Sequence, residues 1–153
     1  MRKISDGTDL LLKSVIKGIF EKQGQDVLKI DLRKIENRIA DYFVICHGDS
    51  KTQIDSISYS VEDTARKEAG EKPIHVEGHE NCFWVLVDYG DVVVHIFQEE
   101  YRNFYSLESL WADAVVEKLK DVKTEVVKKR VTKTKETAPK ATKTKVIKKV
   151  SKK

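Results

Sequence analysis

The chain has 153 residues, 40% hydrophobic and 35% charged, enough for one domain of ordinary size with a polar appendage. Its net charge of +4 divides unevenly: residues 1–120 carry 16 Lys/Arg against 22 Asp/Glu, a net of −6, and residues 121–153 carry 13 against 3, a net of +10. No apolar run approaches the ~18–20 residues that cross a bilayer, and Asp6, Asp9, Lys13 and Lys17 interrupt the apolar N-terminal stretch, so neither a membrane span nor a signal peptide is expected and a cytoplasmic location is.

In chain order, Leu11, Leu12, Val15, Ile16, Ile19 and Phe20 fall on one stripe and predict a helix over residues 8–23 that Gly24 ends. Residues 26–32 alternate, Leu28, Ile30 and Leu32 against Lys29 and Asp31, which predicts a half-exposed strand toward a sheet edge. Tyr42 to Cys46 is apolar throughout, as a strand covered on both faces would be. Ser50 with Gln53 makes a capping-box signature, and Ile54, Ile57, Val61 and Ala65 carry a helix on to Gly70. Pro73 opens a short strand over 74–77, and strand, helix, strand in that order predicts a right-handed crossover between parallel neighbours. Two apolar runs meeting at Asp88-Tyr89-Gly90-Asp91 read as a hairpin. Leu107, Leu110, Trp111, Ala114 and Val115 predict a last helix over 106–120. The fold class is therefore α/β, one domain over 1–120 with a mixed sheet flanked by helices. Residues 121–153 are rich in Lys and Thr, without an aromatic residue or a helical stripe, and predict a disordered basic tail.

With Tyr89 and Gly90 as the hairpin loop, Asp88 pairs with Asp91, Leu86 with Val93, Trp84 with His95 and Cys82 with Phe97 on one face. The opposite face is pure core: Val87/Val92, Val85/Val94 and Phe83/Ile96. Opposed carboxylates cost stability, and Trp beside an imidazole is a composition favoured at interfaces. Two readings stand: the last helix covers this face, or a partner does.

Four ordered segments carry a resemblance. "ADYFVIC" at Ala40 to Cys46 with Gly48 and Ser50, "HVEG" at His75 to Gly78, "WVLVDYGDVVVHIF" at Trp84 to Phe97, and Arg102, Phe104, Tyr105, Leu107, Glu108, Leu110, Trp111, Asp113 and Ala114 together resemble the ribosomal silencing factor family, RsfS or Iojap-like, over about residues 8–120. The resemblance implies a nucleotidyltransferase-like fold without catalytic residues. It further implies binding to the large ribosomal subunit through ribosomal protein L-fourteen, blocking small-subunit joining when nutrients are scarce. A role in large-subunit assembly through the same contact is the alternative. Carried over by position, Trp84, Leu86, Asp88, Tyr89, Asp91 and His95 are the expected partner contacts, and Glu77, Gly78, Arg102, Tyr105, Trp111 and Asp113 the supporting ones. His47 departs from the small polar residue usual in the family and is expected to tune a surface.

Enzyme chemistry is disfavoured. Phosphoryl transfer by this fold needs a Gly-Ser pair for the triphosphate and a D-x-D pair for Mg²⁺; "HGDS" only imitates the first, and Asp88 and Asp91 do not supply the second. A metal is not expected either: "HVEGHENC" clusters His75, Glu77, His79 and Cys82, but H-x-E-G-H is not H-E-x-x-H, and Gly78 and Pro73 argue against a helix there. Cys46 and Cys82 form no C-x-x-C pair and predict buried, inert thiols in a reducing compartment. No cofactor follows. The acidic body favours a basic partner, the +10 tail could track ribosomal RNA, and the free protein is expected as a monomer or a homodimer.

Overall fold

The computed structural model describes residues 6–121, so the expected tail from 122 onward lies outside the described residues. The first apolar stripe forms α1 (Asp6–Glu21), burying Leu11, Leu12, Val15 and Ile19. β1 (Gln25–Asp31) and the wholly buried β2 (Tyr42–Gly48) follow. α2 (Lys51–Thr64) starts where the capping signature places it, the Ser50 hydroxyl accepting from the Gln53 N–H. It runs into a π-helical turn, Ala65–Ala69, closed by Gly70 in the left-handed region. β3 (His75–Glu77), β4 (Trp84–Asp88), β5 (Val92–Gln98), α3 (Glu99–Tyr105), α4 (Leu107–Leu110) and β6 (Val115–Lys118) complete one compact unit that ends at Leu119.

The six strands form a single mixed sheet in the order β3-β4-β5-β2-β1-β6, with β2 and β5 parallel and the other pairs antiparallel. Among the described residues no helix is long and apolar enough to cross a membrane.

Three expectations need correcting. The crossover from β2 through α2 does not land on a parallel neighbour: β3 pairs only with β4 at the sheet edge, and β5 takes the place beside β2. The expected last helix is two short helices and a strand. Ser106 at φ 47° separates α3 from α4, and after Trp111 a turn, in which the Ala114 N–H donates to the Trp111 carbonyl at 3.0 Å, leads into β6. Val115 and Val116 are β-branched and pair instead with the open edge of β1, Asp31 opposite Val115 and Ile30 opposite Val116. That strand puts β1 one place in from the edge.

The third correction is the hairpin. Its loop is Gly90-Asp91, closed by the Tyr89 N–H donating to the Val92 carbonyl at 2.8 Å. Gly90 at φ +91° stands first in the loop, as a II′-type turn requires, and its N–H donates to the Asp88 carboxylate at 2.7 Å. The Asp91 carbonyl accepts from the Asp41 and Tyr42 N–H groups at 2.9 and 3.0 Å, tying the turn to the start of β2. Partners therefore move by two residues: Trp84 opposite Phe97, Leu86 opposite His95, Asp88 opposite Val93. A shift of two preserves the faces. The alternation does break before β4, where Cys82 at φ 57° turns into the helix-side core and leaves Phe83 exposed and stacked on Tyr101.

The two faces differ. α1 and α2 seal one over Val44, Cys46, Val85, Val87, Val94 and Ile96, all buried. The other holds Leu28, Ile30, Phe43, Ile45, Val93 and Phe97 beneath Leu107, with Trp84, Leu86, Tyr101 and Trp111 only partly buried.

Candidate partner-binding face

Strand alternation places Trp84, Leu86 and Asp88 side by side on the second face, all half-buried. The Trp84 ring stacks on Phe97 at 4.9 Å and lies 5.0 Å from Tyr105, while its Nε1–H donates to His95 Nδ1 at 3.1 Å. Accepting there leaves the imidazole proton on Nε2, which has no hydrogen-bond partner among the described residues. Burial pushes His95 down to about 4, so the ring is neutral at physiological pH. Phe43 stands edge-on to both His95, at 4.5 Å, and Trp111, at 5.9 Å. Leu107 and Trp111 pack on this face over Phe43 and Phe97, while Trp84, Leu86 and Asp88 on β4 stay half-buried.

The shared exposure expected of the six contact residues is corrected for two. His95 is buried beneath Trp84 as a support, and Tyr89 lies buried in the helix-side core because odd and even positions of β4 face opposite ways. Burial raises the Tyr89 phenol well above its ordinary value. Asp91 is exposed at the turn with its carboxylate 3.4 Å from the Thr8 hydroxyl, away from Asp88 in the pairing.

Of the supporting residues, Glu77 is exposed on β3 directly opposite Leu86 and in contact with His75. Gly78 takes φ +100°, and a Cβ there would meet the Trp84 carbonyl at 2.1 Å. Arg102 is buried, Nη1 donating to His47 Nδ1 at 2.9 Å and to the Gln25 carbonyl at 3.3 Å, with Glu108 4.0 Å from Nε. His47 is thereby an internal partner and not the surface residue expected; burial, then the Arg102 charge, holds it below its ordinary value. Tyr105 is 45% exposed, Trp111 half-buried and Asp113 exposed.

Sequence reasoning missed two things. Phe104 and Leu110, beside Tyr105 and Trp111 in sequence, are 78% and 71% exposed and add apolar surface at α3 and α4. Asp55, on α2, joins His79 and Cys82, while His75 and Glu77 pair elsewhere. Periodicity hides the first, because Leu110 sits on the apolar stripe of a helix that does not form.

A six-stranded mixed sheet with one sealed face and one half-open aromatic face defines a small α/β protein with a candidate binding surface. The profile of the family "Ribosomal silencing factor during starvation" matches residues 5–149. A ribosomal silencing factor RsfS of Bacillus subtilis is 42% identical over 104 residues, spanning 68% of this chain and 86% of that protein. One of Halalkalibacterium halodurans is 38% identical over 112 residues, spanning 73% and 94%. A crystal structure of a Chromobacterium violaceum protein superposes with a TM-score of 0.63 at 35% identity, over 67% of this chain and 83% of the other. The chain belongs to the ribosomal silencing factor (RsfS) family.

Proposed function

We propose that this chain is a cytoplasmic ribosomal silencing factor that binds the large ribosomal subunit through ribosomal protein L-fourteen and keeps the small subunit from joining, repressing translation under nutrient limitation. Silencing is by occlusion, without covalent chemistry. Beyond family membership, the observation that carries the reading is the half-open face of Trp84, Leu86 and Asp88, extended by Tyr105 and edged by Glu77. A large aromatic on a rigid strand, flanked by carboxylates, suits an apolar contact ringed by Lys and Arg. The net of −6 over residues 1–120 speeds docking on a basic protein, and the +10 of residues 121–153 adds attraction to ribosomal RNA.

The test is co-sedimentation of the full chain with purified large subunits, followed by addition of small subunits. Wild type is expected to sediment and to reduce joining. Trp84→Ala is expected to weaken binding about 30-fold, some 2 kcal/mol, with Leu86→Ala in the same direction. If both variants bind and block joining as wild type does, the contact lies elsewhere. If binding falls only as far as folding stability in urea does, Trp84 is a core residue.

A further inference from the structure

Asp55, His79 and Cys82 come together from two parts of the chain. Asp55 lies within α2, and His79 and Cys82 lie in the loop between β3 and β4. One Asp55 oxygen, Oδ1, is 2.7 Å from His79 Nδ1 and 3.0 Å from Cys82 Sγ, and one donor atom from each residue falls within 4.8 Å of the other two. We propose that these three side chains bind a zinc-class divalent cation, with the Asp55 carboxylate, His79 Nδ1 and the Cys82 sulfur as ligands and water in the fourth position.

The chemistry of the donors selects the ion. Thiolate, imidazole and carboxylate together suit a borderline-soft cation such as Zn²⁺, whereas Mg²⁺ and Ca²⁺ take oxygen ligands. Bonds of about 2.0–2.3 Å in a tetrahedron set ligand atoms about 3.3–3.7 Å apart, so the triad admits the ion with side-chain shifts of under about 1 Å.

The loop is built to present these atoms. The Cys82 N–H donates to the Gly78 carbonyl at 2.9 Å, and Cys82 itself sits at φ 57°, a left-handed conformation costly for a residue with a Cβ. That turn aims the sulfur at α2 in place of the outward direction the strand alternation would give it. His79 has the outer partners a ligating imidazole needs: its Nε2 is 3.1 Å from the Ser58 hydroxyl, and its ring stacks on Tyr59 at 5.0 Å. Cys82 is buried, while His79 and Asp55 are half-exposed and give the ion and its water a path from solvent.

Burial, then the hydrogen bond to Asp55, raises the Cys82 thiol to about 11, so without a cation it stays protonated and is a poor nucleophile. Binding exchanges that proton for the metal: the S–H bond breaks, the S–metal bond forms, and one proton leaves to buffer. The cation would tie α2 to the loop that leads from Gly78 into Trp84.

Co²⁺ is the probe, titrated into the full chain at pH 7.5. The expected result is a thiolate-to-cobalt charge-transfer band that saturates at one equivalent, with Zn²⁺ displacing it. Cys82→Ser should abolish the band, His79→Ala should weaken binding at least about tenfold, and Cys46→Ala should leave it unchanged. Cys46 is the other thiol, buried in β2, so a band lost in Cys82→Ser and kept in Cys46→Ala is assigned to Cys82. No band in wild type, or a band that survives Cys82→Ser, overturns the proposal. Should the variants misfold, equilibrium dialysis of wild type against micromolar Zn²⁺ decides: about one retained equivalent supports the site, and none overturns it.

Discussion

The two faces of one sheet are covered to different degrees. Under α1 and α2, Val44, Val85, Val87, Val94 and Ile96 pack against Ile54, Ile57 and Val61, with Tyr42 and Tyr89 in the same core and the Ser60 and Thr64 hydroxyls donating to α1 carbonyls at 2.8 and 2.7 Å. On the far side the same strands carry Trp84, Asp88, His95 and His47, and Trp84, Leu86 and Asp88 on β4 stay half-buried. A sheet that needed only stability would close both faces with apolar side chains. Both faces bury apolar side chains, but only the second, over its core of Leu28, Ile30, Phe43, Ile45, Val93 and Phe97, also keeps half-exposed aromatics, the surface the proposed contact would use.

The sharpest way to break that comparison is to damage the sealed face. Ile57→Ala removes a fully buried side chain between α2 and the sheet and should cost about 3 kcal/mol in urea denaturation. Binding per folded molecule should be unchanged. Gly78→Ala acts across both faces: the positive φ disfavours a Cβ, and the Trp84 carbonyl at 2.1 Å forces the start of β4 to move. A loss of about 2 kcal/mol is expected. Here large-subunit binding should fall further than stability accounts for, because Trp84 moves with its strand.

Face membership was legible in the sequence although the register was not, since an error of two residues leaves every side chain of β4 and β5 on its own side. The Ser50 cap was legible because it is local. β6 was not: Leu107, Leu110, Trp111, Ala114 and Val115 keep a helical spacing, and only the vacant edge of β1, far away in the chain, turns Val115 and Val116 into a strand. The same limit hid Asp55 from His79 and Cys82, 24 and 27 residues on. Tyr89 and His95 were grouped with Trp84; alternation alone already sends Tyr89 to the helix side, whereas the burial of His95 depends on what packs above it, which no spacing records.

Acid sharpens the comparison next. The His95 imidazole binds a proton near 6.5 when unfolded and only near 4 in the native protein. Between those values the unfolded state holds more protons, so this contribution is intact above about pH 6.5 and is lost as pH falls. The loss from His95 between pH 7 and pH 5 should be about 2 kcal/mol, with His47 shifting in the same direction. Protonating Nδ1 also removes the acceptor of the Trp84 indole, so the half-open face should loosen before the sealed one does. His95→Gln should flatten the profile across that range; an unchanged slope would assign the acid sensitivity to other groups.

The smallest expected change in stability is at Phe104. Its ring is 78% exposed and touches Tyr105 edge-on at 5.0 Å, so Phe104→Ser should alter the unfolding free energy by less than about 0.5 kcal/mol. If the contact surface runs from Trp84 through Tyr105 onto α3, the same substitution should weaken large-subunit binding several-fold, a separation of effects that no residue of the sealed face can show. Wild-type binding by Phe104→Ser beside a defect in Trp84→Ala would confine the surface to β4 and its neighbours, with the exposed aromatic of α3 outside it.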